Sequence, residues 1–433
     1  MALRARSLAL ATVLLAVTGC RKKAPPSPEE QPLEEVPSPL PDPKPKLVGL
    51  ERCHFGADEK ALVLRATKGL ADDELAAAEG SLLDLGPAIA WGAGFFAVST
   101  LDGGATTQAR VALTDGRGRA KEIELGVVHG QVDPPRLAAW GSQLLVALAD
   151  SDSSGTILRV GRIDDPWGAA HIVWGPEVPE GRDPSAQFAL ARSGDAALLV
   201  WDEEVPKSAM SRLARLVFEP DSLRSRGGVR RWEGLGDVDG PLLLSRDGGN
   251  WLVYSRYEAA PSGAAADASD ADSLGLTDDP WVELMAVALD ERSEVVGRPL
   301  ALGRHRLQAL DGVSLPSGGF VLAVRTSATQ NDPRTIQLLR VAADGSIVSE
   351  TVRHDSLGIG SPVLLREGEG IWLAARAQDG GTLLGAVPTG GEVRLELERA
   401  FADKEPAVAG PAGFLLVEPR QRDLALRVAR CSL

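Results

Sequence analysis

The chain has 433 residues, a formal net charge of −14 at pH 7 and three cysteines. An acidic chain repels the phosphate backbone of nucleic acids, so the composition excludes nucleic acid as an expected partner. The length by itself favours two or three domains, unless an internal repeat organises the chain as a single one.

The N-terminus has the features of an export signal. Arg4 and Arg6 form a short positive region, and residues 7–17 are nearly all apolar. That run has the length of the apolar part of a signal peptide and is too short to span a bilayer comfortably. Residues 1–19 are therefore predicted to be a signal peptide.

The sequence Val17-Thr18-Gly19-Cys20 ends this segment. It resembles the lipobox of bacterial lipoprotein signal peptides, in which an aliphatic residue and two small residues precede a cysteine. The resemblance implies cleavage before Cys20, a diacylglycerol group on its thiol, and an acylated new amino terminus, with palmitate as an expected chain. Two or three acyl chains give stable anchoring. The implied location is the bacterial cell envelope, and Arg21 favours the outer membrane over the inner. An ordinary secretory signal with a chance cysteine is the alternative.

Residues 20–47 are predicted to form a tether behind this anchor. Nine prolines lie among glutamate, lysine and serine residues, a composition that cannot bury a core. Such a chain favours extended polyproline II structure, which rises about 3.1 Å per residue and so holds a domain tens of ångströms from the membrane. A ligand for a proline-recognising domain is the alternative function of this segment.

A seven-fold repeat begins near residue 83. Each copy has a glycine followed by an apolar burst, as in GFFAVS at Gly94 and GNWLVYS at Gly249. A short apolar segment, usually opened by proline, precedes each burst, and an alternating segment and a more polar one follow it. The seven glycines are Gly94, Gly141, Gly194, Gly249, Gly319, Gly370 and Gly413.

The four segments of each copy predict four strands, with the bursts buried on both faces and the polar segments at an outer edge. Four-stranded units repeated radially form a β-propeller, so the expected fold is all-β with seven blades in one domain, residues 48–433. A pair of β-sandwiches, or a ring of six or eight blades, is the alternative. The blades are predicted to start near residues 83, 135, 184, 241, 311, 362 and 405.

The last copy lacks its fourth strand. The segment EKALVLRAT at residues 59–67 is strand-like and is predicted to complete that blade. Antiparallel pairing then places Cys431, at the end of the third strand, near Cys53. In the oxidising envelope these two cysteines are predicted to form a disulfide that locks the ring, and two free buried thiols are the alternative.

Motifs of known chemistry are missing from the sequence. It contains no G-x-S-x-G, H-E-x-x-H or G-x-x-x-x-G-K-[ST] motif, and no EF-hand loop. The five histidines are dispersed without ligand spacing. No cofactor, metal site or catalytic residue is therefore predicted.

Acidic residues lie at or just before the predicted first strand of five blades. First strands are innermost in a propeller, so these carboxylates are expected at the mouth of the central channel. They fit either a site for a cation or a basic peptide, or turn caps beside strand-opening prolines. The five residues are Asp133, Asp183, Asp239, Asp311 and Glu405.

A low-complexity acidic insert at residues 259–280 leaves the same face of the predicted ring. It fits a solvated loop or, alternatively, an arm that captures a partner. Together these patterns predict an anchored propeller that acts as a non-catalytic binding or scaffold module for a protein or glycan. The alternative is a glycan- or peptide-directed hydrolase that uses the carboxylates of this face.

Overall fold

A computed structural model of the chain gives the fold. All described residues belong to one compact unit, residues 47–433. The predicted signal peptide, Cys20, the predicted tether and the insert at 259–280 lie outside the described residues. The structure describes residues 53–65, 83–91, 95–103, 107–130, 132–152, 155–178, 187–205, 208, 210–257, 282–305, 307–326, 335–358, 360–367, 370–388, 393–397, 401–410, 413–420 and 423–431.

These residues form seven antiparallel sheets that follow one another along the chain. The innermost strand of each sheet contacts that of the next, and the last contacts the first, so the sheets close into a ring. The fold is therefore a seven-bladed β-propeller, as the repeat predicts. In the described part of the chain, no helix is long and apolar enough to cross a membrane.

The strands of the first four blades have the following bounds. Blade 1 comprises β3 (Leu83–Leu85), β4 (Ile89–Trp91), β5 (Phe95–Gly103), β6 (Thr107–Thr114) and β7 (Ala120–Val128). Blade 2 comprises β8 (Arg136–Trp140), β9 (Gln143–Asp152), β10 (Gly155–Asp164) and β11 (His171–Trp174). Blade 3 comprises β12 (Phe188–Ser193), β13 (Ala196–Glu204), β14 (Ser211–Phe218) and β15 (Arg230–Arg231). Blade 4 comprises β16 (Asp237–Arg246), β17 (Gly249–Tyr257), β18 (Val282–Asp290) and β19 (Val295–His305).

The remaining strands complete the ring. Blade 5 comprises β20 (Leu307–Ser314), β21 (Phe320–Thr326), β22 (Thr335–Val341) and β23 (Ile347–Arg353). Blade 6 comprises β24 (Val363–Glu367), β25 (Gly370–Arg376), β26 (Thr382–Ala386) and β27 (Glu396–Leu397). Blade 7 comprises β28 (Glu405–Gly410), β29 (Gly413–Arg420) and β30 (Asp423–Cys431), together with β1 (Cys53–Phe55) and β2 (Leu62–Arg65).

The core lies between neighbouring blades. The seven predicted bursts form the second strands, and Leu199, Val200 and Trp201 in β13 have no exposed surface. Each pair of adjacent blades shares one apolar cluster, from blades 1 and 2 around to blades 7 and 1. Burial on both faces of a blade explains why the bursts are continuously apolar instead of alternating.

The N-terminal segment closes the last blade. Strand β2 pairs antiparallel with β30, with Leu62 opposite Leu426, and β1 pairs with the end of β30. Cys53 lies opposite Cys431, and the two form a disulfide. The predicted closing strand and the predicted disulfide are therefore confirmed.

Two first strands begin earlier than the sequence pattern predicts. Strand β16 starts at Asp237 and passes Pro241 through a register shift between Asp239 and Leu242. Proline is tolerated at a bulge because no regular ladder hydrogen bond is lost there. In blade 5, β20 starts at Leu307. Asp311 is therefore an internal strand residue, and its predicted position at a strand start is wrong.

Candidate functional site

The innermost strands surround a cavity of about 800 Å³ at the centre of the ring. All seven blades contribute to its wall, and most of the contributing side chains are apolar. Representative wall residues, one from each blade in order, are Ile89, Leu137, Ala189, Leu243, Leu310, Leu364 and Val408.

Most polar residues of this cavity lie at one face of the ring, whereas Asp311 lies in the middle of β20. Gln187 and Ser361 precede first strands, while Tyr257 ends the second strand of blade 4 and Val282 begins its third strand. In an antiparallel blade, the start of the first strand and the connection from second to third strand lie at the same face. We call this face of the propeller the entry face.

A hydrogen-bonded pair lies in blade 4 at the entry face. The Tyr257 hydroxyl donates to Asp239 Oδ2 at 2.5 Å. Burial raises the pKa of Asp239, the Tyr257 hydrogen bond opposes that rise, and the neighbouring Asp237 adds to it. Burial and the Asp239 hydrogen bond raise the pKa of Tyr257 as well. Tyr257 therefore stays protonated at neutral pH and acts as a donor, not as a phenolate nucleophile.

Blade 3 approaches this pair through Gln187. Its backbone N–H donates to Asp202 Oδ1 at 2.6 Å, which fixes the backbone before β12. Gly240 in the β16 bulge has φ +62°, and a Cβ atom there would lie 3.4 Å from Gln187 Oε1. A glycine suits this position because other residues seldom adopt the left-handed conformation. The amide side chain of Gln187 is thus held beside the bulge that carries Asp239.

Asp311 lies in the cavity wall between blades 5 and 6. Its Oδ2 accepts a hydrogen bond from the backbone N–H of Leu364 at 2.7 Å. Burial raises the pKa of Asp311 to about 6, although hydrogen bonds from the N–H groups of Leu364 and Gly312 work in the opposite direction. The carboxyl group therefore joins two innermost strands.

Two other predicted carboxylates pair with arginines. Asp133 Oδ2 lies 3.5 Å from Arg136 Nη2, and Glu405 Oε1 lies 2.8 Å from Arg376 Nη2. Arg136 itself lines the cavity, with its guanidinium 5.9 Å from the centre of the Phe188 ring. Burial lowers the pKa of Arg136, and Asp133 opposes this effect.

The five predicted acidic residues therefore differ in position. Asp239 and Asp311 line the cavity, Asp133 and Glu405 are paired with arginines, and Asp183 lies outside the described residues. Within the described ranges, no group of three or more His, Cys, Asp or Glu residues is arranged to hold a metal ion.

Three polar residues of the cavity, Tyr257, Arg136 and Gln187, are not predicted from the sequence pattern. Tyr257 ends a second strand, and antiparallel register places it opposite Asp237, at the start of the innermost strand. A polar residue that ends a second strand is thus a usable signal. Arg136 carries a similar one, since it is a charged residue on an innermost strand.

No model of a known protein family matches the chain, and no curated protein matches its sequence. Among solved structures, the acylaminoacyl peptidase of Pyrococcus horikoshii is 11% identical with a TM-score of 0.47, over 81% of this chain and 52% of that protein. The propeller domain of the Trilobed protease from Pyrococcus furiosus is 9% identical with a TM-score of 0.46, over 81% of this chain and 95% of that one.

The GH93 α-L-arabinofuranosidase of Fusarium graminearum, solved with arabinobiose, is 9% identical with a TM-score of 0.45, over 76% of this chain and 98% of that enzyme. This chain spans about half the length of the acylaminoacyl peptidase that it matches. At these identities the likeness is one of fold and says nothing about chemistry.

Proposed function

We propose that the protein is a lipid-anchored envelope lipoprotein whose propeller binds a protein or glycan partner at the entry face without catalysing a reaction. The observation that supports the binding role is the central cavity, which combines apolar walls from seven blades with a few polar groups, most of them at the entry face. Ligand sites have this character, because apolar surface supplies binding energy and a few polar groups supply orientation.

The polar groups at the entry face suit recognition. The Tyr257 hydroxyl donates to Asp239 and keeps its oxygen as an acceptor, and the Gln187 amide can both donate and accept hydrogen bonds. Sugars and peptide backbones offer matching donors and acceptors, while the apolar wall offers a surface for their carbon faces or side chains. The wall itself is rigid, since each innermost strand belongs to a four- or five-stranded sheet packed on both sides.

Photo-crosslinking tests the binding site. The full-length protein is expressed with a photoreactive amino acid at Gln187, which is exposed and lines the cavity, or at Val348, which is 66% exposed on the outer strand β23. We expect envelope partners to be captured from position 187 and not from the control position. Equal capture from both positions, or capture from position 348 alone, would contradict a binding site in the central cavity.

The insert at residues 259–280 follows Tyr257 closely in the chain, so the same assay also tests its role. We expect capture from position 187 to survive deletion of the insert if it is a solvated loop. Loss of capture, with an unchanged melting temperature, would assign the insert to the binding site as a partner-capturing arm.

The lipid anchor is tested separately. We expect labelled palmitate to be incorporated into the wild-type chain and not into a Cys20→Ala variant, and the variant to leave the membrane fraction. Separation of inner and outer membranes then tests the outer-membrane location that Arg21 favours. Absence of an acyl group on the wild-type chain would contradict the lipid anchor without affecting the proposed binding role.

One observation favours a second candidate function, hydrolysis of glycans or peptides. Asp239 and Asp311 both line the cavity, and burial raises the pKa of each, as in a general acid. A panel of glycoside and peptide substrates distinguishes the two functions. Turnover by the wild type that is lost in both Asp239→Asn and Asp311→Asn would replace the binding proposal with the hydrolase.

A further inference from the structure

A second cavity, of about 910 Å³, lies between blades 3 and 4. Its wall includes the turn between β12 and β13, the loop that leads to β15, and the turn between β18 and β19. These turns connect first to second strands or third to fourth strands, so the cavity lies at the face opposite the entry face. We call it the arginine cavity, after the residues described next.

Arginine dominates the charge of this wall. Five arginines line it against three carboxylates, whereas the whole chain carries 60 acidic and 46 basic residues. The local charge is therefore opposite in sign to that of the protein. The arginines are Arg192, Arg215, Arg226, Arg230 and Arg292, and the carboxylates are Asp195, Glu291 and Glu294.

Internal ion pairs occupy only part of this positive charge. Arg215 Nη2 lies 2.6 Å from Glu294 Oε2, and Arg230 Nη1 lies 2.9 Å from Glu294 Oε1, so one carboxylate serves two guanidinium groups. Arg226 Nη1 pairs with Asp195 Oδ1 at 2.8 Å. Arg215 is only 4% exposed, and within the described part of the chain its Nη1 has no hydrogen-bond partner.

Arg192 and Arg292 differ from Arg226 and Arg230, which are also exposed but are ion-paired. Arg192 Nε donates to the carbonyl of Gly194, and its guanidinium lies 4.7 Å from the centre of the Trp140 ring. Within the described residues, neither Arg192 nor Arg292 forms an ion pair with a carboxylate. Stacking on Trp140 orients one guanidinium and leaves it without a counter-charge.

We propose that the arginine cavity binds a phosphate-bearing anion. Planar guanidinium groups hold phosphate oxygens through paired, charge-assisted hydrogen bonds, and several of them converge here from two blades. The volume exceeds that of a single phosphate ion, and Ala196 and Val217 supply apolar wall beside the arginines. The ligand class is therefore a phosphorylated organic molecule or a polyphosphate. This site does not depend on the proposed function of the entry face.

Calorimetry of the full-length, detergent-solubilised protein tests the proposal with inorganic pyrophosphate and inorganic phosphate. The ionic strength is kept constant, because salt screens the interaction between exposed charges. We expect saturable binding, tighter for pyrophosphate than for phosphate, and little heat from acetate. A double variant, Arg192→Gln with Arg292→Gln, changes the two exposed arginines that have no ion pair within the described residues, and it spares the buried Arg215. It should weaken pyrophosphate binding at least tenfold.

Arg224→Gln is the matched control, because Arg224 is exposed in the same loop but does not line the cavity. It should change pyrophosphate affinity less than twofold. Absence of saturable heat in 10 mM pyrophosphate (about one hundred times a 0.1 mM dissociation constant) would overturn the proposal. An equal loss of affinity in the control variant, or equal heat from acetate, would also overturn it.

Discussion

Blade 7 and the sector of blades 3 and 4 use charged residues in different ways. At blade 7, charges hold distant parts of the chain together: Arg427 pairs with Glu59 and Glu418, and Arg430 Nη2 donates to the carbonyl of Asp115 in blade 1. In blades 3 and 4, arginines and carboxylates instead line the arginine cavity, and Asp239 lines the central cavity.

The difference separates closure from recognition. Ring closure needs contacts between residues far apart in sequence, so changes at the closing contacts of blade 7 should lower stability throughout the propeller. Side chains that line a cavity contribute less to the ring, so changes there should alter binding while the fold persists. Each of the following predictions tests this division.

The largest effect is expected at the disulfide. The double variant Cys53→Ser with Cys431→Ser frees a loop whose ends are 378 residues apart. In the chain-entropy description, a crosslink that closes a loop of this length stabilises the folded state by at most about 6 kcal/mol. Denaturant unfolding should show a loss approaching this value. Reducing agent should destabilise the wild type to a similar degree and leave the double variant unchanged.

An effect on stability of intermediate size is expected in the channel wall. The pKa of Asp311 is raised to about 6, from a usual value near 3.8. The folded protein therefore holds a proton that the unfolded chain releases, so stability falls as pH rises from about 4 to above 6. The expected loss from this group is about 3 kcal/mol.

Unfolding of the wild type and Asp311→Asn at pH 4.5 and 7.5 measures this contribution. The variant should lack most of the fall with pH. Asp344→Asn serves as the control, because Asp344 is an exposed turn residue whose pKa is lowered by the hydrogen bonds that it accepts from Ser346. An equally steep pH dependence in Asp311→Asn would contradict a raised pKa for Asp311.

A smaller effect on stability is expected for Tyr257→Phe. The change removes the hydrogen bond to Asp239, at a cost of about 1 kcal/mol. Since this bond lowers the pKa of Asp239, the carboxyl pKa should rise in the variant, which an NMR titration can measure. Tyr254→Phe changes the other tyrosine on the same strand and should leave the Asp239 titration in place.

The blades are predictable because burial on both faces imposes a pattern on the sequence itself. The second strand of each blade contains the apolar burst of its repeat. The N-terminal closing segment is recognisable because the seventh repeat lacks a fourth strand of its own. Pairing Cys53 with Cys431 then follows from antiparallel geometry. These features depend on the local composition of each segment and on the number of strands in each repeat, and both can be read from a single sequence.

The sites are less predictable because they depend on register and on contacts between blades. Asp311 lies in an apolar stretch, and only the register of β20 shows that it belongs to the wall. The arginine cavity draws on residues from Arg192 to Glu294, a span of about one hundred positions with no local motif. Pro241 predicts the wrong start for β16, because Gly240 and Pro241 form a bulge inside the strand and the strand begins before them.

The smallest effect is expected at Glu405, which tests whether the carboxylates beside the innermost strands hold a cation. Its pair with Arg376 is partly exposed, with side chains 28% and 45% accessible, and such pairs contribute about 0–1 kcal/mol. Glu405→Gln should therefore change the free energy of unfolding by less than about 1 kcal/mol. Asp133→Asn, which breaks the pair with Arg136, should behave similarly.

Both variants are measured with and without millimolar calcium. If the two carboxylates serve their arginines, calcium should stabilise the wild type and the variants by the same amount, or not at all. Calcium-dependent stabilisation that is present in the wild type and lost in both variants would instead assign them to a cation site. That result would extend the recognition role of blades 3 and 4 to blades 2 and 7, and blade 7 would no longer serve closure alone.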